Sequence, residues 1–420
     1  MYTGPHIIKD GLVFGYDTGY GITDNDTATR FYAGEPAVNL WDSLLSTQSL
    51  RPHTKHYWNG KKWTEDATYT HPGVDGPKDV YLGLVFKHVS GALNSTWSGT
   101  SYGYMLRDIA CTNGATMTMS SWIYASGDCD VDAIPAVIEG ESGGESTVTG
   151  YPSSYDLNNK GTWQVTAKKA TSDGNTRFIP LYPRKNGVTD GSFTGFFMWA
   201  LPQVTYGDRV VTPIQPGATR SSTASLIDLK ETTDIDVSNV SFDSTGQPTF
   251  DGAGDRISMN AQNIVGANTG TVSAWVNLSQ ANVNHAGIFC CQTGPAWANM
   301  RVVLNVSSPN RIRLAISDGT NSTTDSCRTN STLSYNTWYH IAATYDGTSA
   351  KIYVNGVLDE THNTTITPGT FTPNATMVGY QNYSTRYFNG GIAAVSTYDI
   401  AMTATEVKQN FNAHKNRFSI

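Results

Sequence analysis

The stretch NTWYHIAATYDGTSAKIYVNGVL, residues 336–358, decides the fold. Its first half is a run of aromatic and β-branched residues that stops at Asp346-Gly347, a turn signal. Its second half alternates apolar with polar residues and reaches Asn355-Gly356 between two apolar stretches, the strongest short-range hairpin signal there is. Strand, turn, strand and hairpin follow without any helical period. The same pattern recurs outward in TVSAWVNLS (271–279) and ATMTMSSWIYA (115–125). Short strands punctuated by Gly, Asn and Pro at this spacing predict an all-β protein built of β-sandwiches. One helix is expected, over TATEVKQNFNA (403–413). Thr403 with Glu406 makes a capping box, and Val407 and Phe411 lie four apart on one face.

Composition excludes several functions. Only 15% of the 420 residues are charged and the net charge is −7, so no basic footprint for nucleic acid or an anionic membrane exists. Aromatics at 11% argue against disorder. The longest strongly apolar run, GFFMWAL (195–201), is far short of the roughly 20 residues of a membrane helix. The N-terminus shows no signal-peptide pattern. Cys111, Cys129, Cys290, Cys291 and Cys327 form no CxxC pair and no zinc spacing, and read as reduced, small core residues. Adjacent Cys290 and Cys291 should face opposite sides of a strand.

A turn-rich break at 215–225 divides the chain, and the order of landmarks on one side repeats on the other. TMTMSSWIYAS, GTWQVTAKKATSDG and GSFTGFFMWALPQV precede it. TVSAWVNLS, NTWYHIAATYDG and YFNGGIAAVSTYDIAM follow it. The expectation is two tandem sandwiches, jelly-roll or concanavalin A-like, over 38–220 and 221–420. Ahead of them lies an arm, 1–37, with one strand-like patch, GLVFGYD (11–17). Such an arm folds back as an edge strand or docks on a partner by adding a strand to its sheet. The docking reading makes Leu12, Val13, Phe14 and Tyr16 the anchoring residues.

The second half resembles the laminin-G-like, concanavalin A-like lectin/glucanase sandwiches. The resemblance is carried in order by DGAGDRISM (251–259), TVSAWVNLS, NTWYHIAATYDG, KIYVNGVLDET (351–361) and FNGGIAAVSTYDIAMTATEV (388–407). The first half resembles the carbohydrate-binding-module-like domains of tailed-phage structural proteins. Its opening DGLVFGYDTG, its junction FTGFFMWALPQVTYGDRVVTPIQPGATRSSTASLIDL (193–229) and the SFDSTGQPTFDGAGDRISM that follows are similar to theirs. It departs from them at Val204, where those domains often carry an acidic residue. The resemblance implies a non-enzymatic virion structural protein: a capsid decoration or head fibre, or a tail fibre or baseplate component. It implies assembly in the host cytoplasm, attachment to other virion proteins through the arm, and a homo-oligomer, by analogy a trimer. Host surface polysaccharide is a further expected partner. A receptor-recognition lectin and a glycanase are the alternatives, since one fold hosts many functions.

Lectin sites pair an exposed aromatic with amide or charged hydrogen-bonding groups. The loops GPAWANMR and YQNYSTRYF offer Trp297, Asn382, Tyr383 and Arg386, and STWSGTSYGY in the first half offers Trp97 and Tyr102. Trp122, Trp163, Trp275 and Trp338 lie in alternating strands and are expected in the core. No cofactor is expected; for calcium, which some laminin-G-like sandwiches bind, the candidate oxygen ligands are Asp251, Asp255 and Asp318. A glycanase needs two carboxylates across a cleft. Glu139, Glu141 and Glu145 in IEGESGGES are the comparable cluster, and their glycines favour an acidic loop over a catalytic strand.

Overall fold

The computed structural model describes the chain except residues 1–6, 19–35, 42–52, 66, 78–79, 81, 93–106, 142, 180–181, 187–191, 212–213, 215–216, 223–224, 227, 231, 244–246, 260–262, 281, 296–298, 300, 308–309, 324–326 and 384. Two compact units emerge, and they are not tandem in sequence. One joins the described residues of Met1–Tyr20 and Ala33–Pro36 to those of Ser221–Ile420; the other holds the described residues of Ala37–Arg220.

The first strand, β1 (Leu12–Asp17), belongs to the unit that resumes at Ser221. The inserted unit carries β2 (Ala37–Val38), β3 (His53–Trp58), β4 (Gly83–Ala92), β5 (Arg107–Ala110), β6 (Thr116–Ala125), β7 (Val137–Glu141), β8 (Ser146–Thr147), β9 (Trp163–Ile179), β10 (Ser192–Tyr206) and β11 (Thr219–Arg220). Its main sheet runs β3-β4-β10-β6-β9-β5, with β7 and β8 also on β9. The long β9 serves β6 with its first half and β5 and β7 with its second, as strands do where they pass from one layer to another. Phe86, Ile123, Phe178, Phe197 and Trp199 pack between the layers, together with Val204, which the resemblance would have acidic. Strands β2 and β11 pair, so the chain enters and leaves this unit at adjacent points.

Trp122 and Trp163 are not in that core. They lie half-buried with Tyr124, Met198 and Phe196 in a second cluster, to which β6 and β10 contribute apolar side chains from the face opposite the core. The acidic cluster is also placed differently: Val137–Glu141 is strand, not loop. A register shift in the pairing with β9 falls between Glu139 and Glu141. Glu145 accepts from Ile138 N at 3.0 Å and pairs with Lys168.

The other unit is a two-sheet sandwich. It contains β12 (Ile235–Asn239), β13 (Ser241–Phe242), β14 (Pro248–Asp251), β15 (Arg256–Met259), β16 (Gly270–Leu278), β17 (Gly287–Gln292), β18 (Val302–Ser307), β19 (Arg311–Ile316), β20 (Trp338–Tyr345), β21 (Ser349–Val354), β22 (Val357–Asn363), β23 (Ala375–Val378) and β24 (Asn389–Tyr398). One sheet runs β13-β14-β24-β16-β20-β21-β22, with β1 added on β24; the other runs β12-β15-β23-β17-β18-β19. Val272, Ile341, Ile352 and Ile392 of the first meet Ile288, Leu304, Leu314 and Val378 of the second in one buried core. The β21–β22 hairpin turns at Asn355 and Gly356, both at positive φ (51° and 74°), as the sequence predicts. Helix α1 (Ala404–His414) starts with the capping box of Thr403 and Glu406. It lays Phe411, and the following turn lays Phe418, over Trp275 with ring centroids 5.9 and 4.2 Å apart. Trp275 is therefore buried on the outer face of its sheet, under this segment.

Among the described residues of the arm, the strand that the sequence singles out, β1, takes the fold-back arrangement. Strand β1 runs antiparallel to β24, and Phe14 and Tyr16 are at most 1% exposed inside the core. Leu12 joins Tyr398, Met402 and Val407 in a smaller cluster, and Val13 packs against the main core. This corrects the reading of Leu12, Val13, Phe14 and Tyr16 as exposed anchoring residues: in this structure their side chains pack within their own sandwich.

Candidate functional site

The outward face of the six-stranded sheet carries the site. Period-two alternation sends Val302, Leu304 and Val306 of β18 into the core and turns Asn305 outward. On β19 it likewise turns Arg313 outward, directly opposite Asn305 in register. On β17 Cys291 faces in, while Cys290 packs outward with Val303 and Ala315. Polar outward positions would ordinarily be wet, yet Gln292, Asn305 and Arg313 are fully buried, as is Gln381 from the loop that follows β23. The loop 380–387 covers them.

That loop is laid close on β17. Gly287 donates its N–H to Arg386 O at 3.1 Å, and a Cβ on Gly287 would meet Gln381 N at 2.3 Å. Only glycine lets the two backbones approach so closely. Tyr380 and Tyr387 close the base of the loop, rings stacked at 4.3 Å. Beneath it runs a hydrogen-bonded chain. Arg313 Nε donates to Asn305 Oδ1 at 3.1 Å, and Asn305 Nδ2 to Gln381 Oε1 at 2.7 Å. Gln292 Nε2 donates to Gly294 O at 2.8 Å and to Asn382 O at 3.1 Å, tying the loop that starts at Thr293 to the loop 380–387. Cys290 Sγ donates to Gln292 Oε1 at 2.9 Å. Buried groups satisfied in this way hold a loop rigid.

On this base stands a rim of one exposed and two half-buried side chains. Arg386 lies over the ring of Tyr383 at 4.1 Å, and Tyr383 is 37% exposed. Asn382 is half-buried beside them. The structure thus brings Asn382, Tyr383 and Arg386 together. Trp297, Trp97 and Tyr102 lie outside the described residues. An aromatic face, an amide and a guanidinium can stack on a ring and hydrogen-bond hydroxyls. None of these groups is a carboxylate.

The aspartates proposed for calcium are occupied by their own loops. Asp251 accepts from Ala253 N and Gly254 N at 2.7 and 3.1 Å, which holds its carboxyl below the usual range. Asp255 accepts from Asp251 N at 3.0 Å and is pushed up by burial and by Asp251. Asp318 accepts from Asn321 N and Thr320 N, which lowers it similarly. Among the described residues no group of three or more His, Cys, Asp or Glu side chains could hold a metal ion. A cavity of about 20 Å³ lies under α1, lined by Tyr16, Trp275, His340 and Asn410 among others. It has room for about one water, far below the 300 Å³ or more of a small-molecule site.

Residues 251–408 match a family model described as the Concanavalin A-like lectin/glucanases superfamily. This part of the chain is a concanavalin A-like domain. Its strands β1, β12 and β13 and most of β14 lie outside the matched segment. No curated protein sequence matches the chain. Among solved structures it is similar to the Trypanosoma rangeli sialidase in complex with the inhibitor DANA, at 14% identity and a TM-score of 0.36 over 44% of this chain and 30% of that one. It is similar to domain 4 of the extracellular arabinanase AbnA from Geobacillus stearothermophilus in complex with arabinotriose, at 19% identity and a TM-score of 0.33 over 40% of this chain and 76% of that one. The receptor binding domain of botulinum neurotoxin type G gives 20% identity and a TM-score of 0.35 over 45% of this chain and 48% of that one. The chain spans less than a third of the sialidase, and likeness at these scores assigns no activity.

Proposed function

We propose that the protein is a non-enzymatic adhesion and surface-contact protein whose concanavalin A-like domain engages neutral glycan through Tyr383, Arg386 and Asn382. The observation that carries this reading is the exposed Tyr383 with half-buried Arg386 over its ring, on a buried, hydrogen-bonded base. A rim fixed before the ligand arrives loses little ordering entropy on binding. Stacking on the tyrosine and hydrogen bonds from the amide and guanidinium suit a hydroxyl-rich, uncharged ring. Hydrolysis would need two carboxylates facing each other; the rim offers none, and Glu145 is engaged with Lys168. A glycan array probed with the full chain tests the reading. Saturable binding to one class of neutral glycan supports it, and no binding across a broad array contradicts it.

Its setting on a tailed-phage virion is supported by the sequence phrases at 10–19, 193–229 and 241–259. Mass spectrometry of purified particles tests that setting separately: the chain should appear at a fixed copy number, and its absence from particles would refute it.

A further inference from the structure

Strand β1 occupies a slot built wholly from residues after the inserted unit. On one side β24 pairs with it from Tyr398 to Ala394. On the other, Gly15 N donates to Asp228 Oδ1 at 3.1 Å and Leu229 N to Gly15 O at 2.7 Å. Along its length the C-terminal segment holds it. Asn410 Oδ1 accepts from Ile8 N at 2.7 Å, and Arg417 donates to Asp17 and Thr18. Phe14 and Tyr16 fill the interior, and the Tyr16 hydroxyl donates to Ile392 O across a sequence separation of 376 residues. The unit Ala37–Arg220 lies between the strand and its slot in sequence, and that unit begins and ends at the paired β2 and β11.

We propose that residues 7–18 are a donated strand: the slot accepts this segment from a second copy of the chain as well as from its own. Every contact just named is made by the segment itself, so a neighbour's segment would make the same set. The choice between the two depends on effective concentration. The strand leaves its slot at Thr18, and the 17 residues 19–35 of the sequence can reach at most about 60 Å when extended. Tethering of that kind gives effective concentrations in the millimolar range, which crowded copies approach. Exchange of an identical element is a low-cost route to association. The strand pairs with its slot over a long sequence separation, a slow step in folding that gives a neighbour's strand time to compete.

The test uses the full chain with a protease site engineered within residues 19–35. After cleavage the N-terminal piece should remain bound through gel filtration. Unfolding and refolding with excess fluorescent peptide of residues 7–18 should load one label per chain, whereas a peptide carrying Phe14→Asp and Tyr16→Asp should not load. Intact chain co-refolded with a tagged chain lacking residues 1–20 should be captured by the tag, one for one. Two results overturn the proposal. In one, the cleaved piece leaves while the remainder keeps its Tm. In the other, neither labelled peptide nor intact chain is taken up after refolding together.

Discussion

Arg417 donates to the carboxylate of Asp17 across a sequence separation of 400 residues, and His414 Nε2 meets the other oxygen at 3.1 Å. The Asp17 side chain is 4% exposed, so its charge is stabilised by these partners rather than by water. Asp17→Asn removes the charge and leaves the guanidinium half-satisfied. Because Arg417 keeps some solvent contact, the expected loss is modest, about 1–3 kcal/mol. It should appear as a lower urea midpoint with an unchanged slope.

The same region sets a pH dependence. Burial, with smaller contributions from His414 and Lys408, pushes His340 down to about 3. Its Nε2 meets Ser273 Oγ at 2.9 Å beneath α1. A folded pKa below the unfolded 6.5 or so means that the unfolded chain binds the proton first as pH falls. The stabilisation is therefore complete above about pH 6.5 and declines as pH drops toward 3. Between pH 6.5 and 4.5 this one group should cost about 2–3 kcal/mol. Urea melts should show that slope in the native protein and a flatter one in His340→Leu, although the variant is weaker at pH 7.

Asn305 is the middle of the chain beneath the rim loop. Asn305→Ala strands Arg313 Nε and Gln381 Oε1 in a fully buried site, which should cost about 2–4 kcal/mol. Amide hydrogen exchange over 380–387 should quicken in the variant. Unchanged protection would mean that the polar base does not hold the loop.

Burial pushes the thiols of Cys290, Cys291 and Cys327 up to about 12, and Cys129 is raised as well. Cys111 is the one cysteine that is not fully buried. A thiol-disulfide reagent at pH 8 should modify at most one thiol in the native protein, at Cys111, and all five after unfolding. Rapid modification of two or more native thiols would contradict the placement of these strands.

Much of this was legible from local pattern. The Asn355-Gly356 hairpin, the Thr403–Glu406 cap and the opposed faces of Cys290 and Cys291 are each determined within a few residues, and each is found. The destination of GLVFGYD was not, because strand pairing over nearly 400 residues leaves no mark in local sequence. That changes how the domain must be handled: a fragment beginning at Ser225 lacks β1 and exposes its slot. Trp122 and Trp163 misled for a related reason, since alternation shows which residues share a face but not which face is the core. Of the binding candidates, Asn382, Tyr383 and Arg386 could be found because they share one loop. The platform under them was visible only as outward polar residues in VLNV and IRLAI, where burial by a distant loop cannot be read. The low charge fits this picture, because amides rather than carboxylates occupy that platform.

The central claim is that Tyr383 and Arg386 form the glycan contact. It is tested most directly by titrating the array-selected oligosaccharide into full-length protein and into Tyr383→Ala and Arg386→Ala, with Tm measured for each. The expected result is a loss of binding of tenfold or more in both variants with Tm nearly unchanged. Affinity equal to that of the native protein in both would contradict the account.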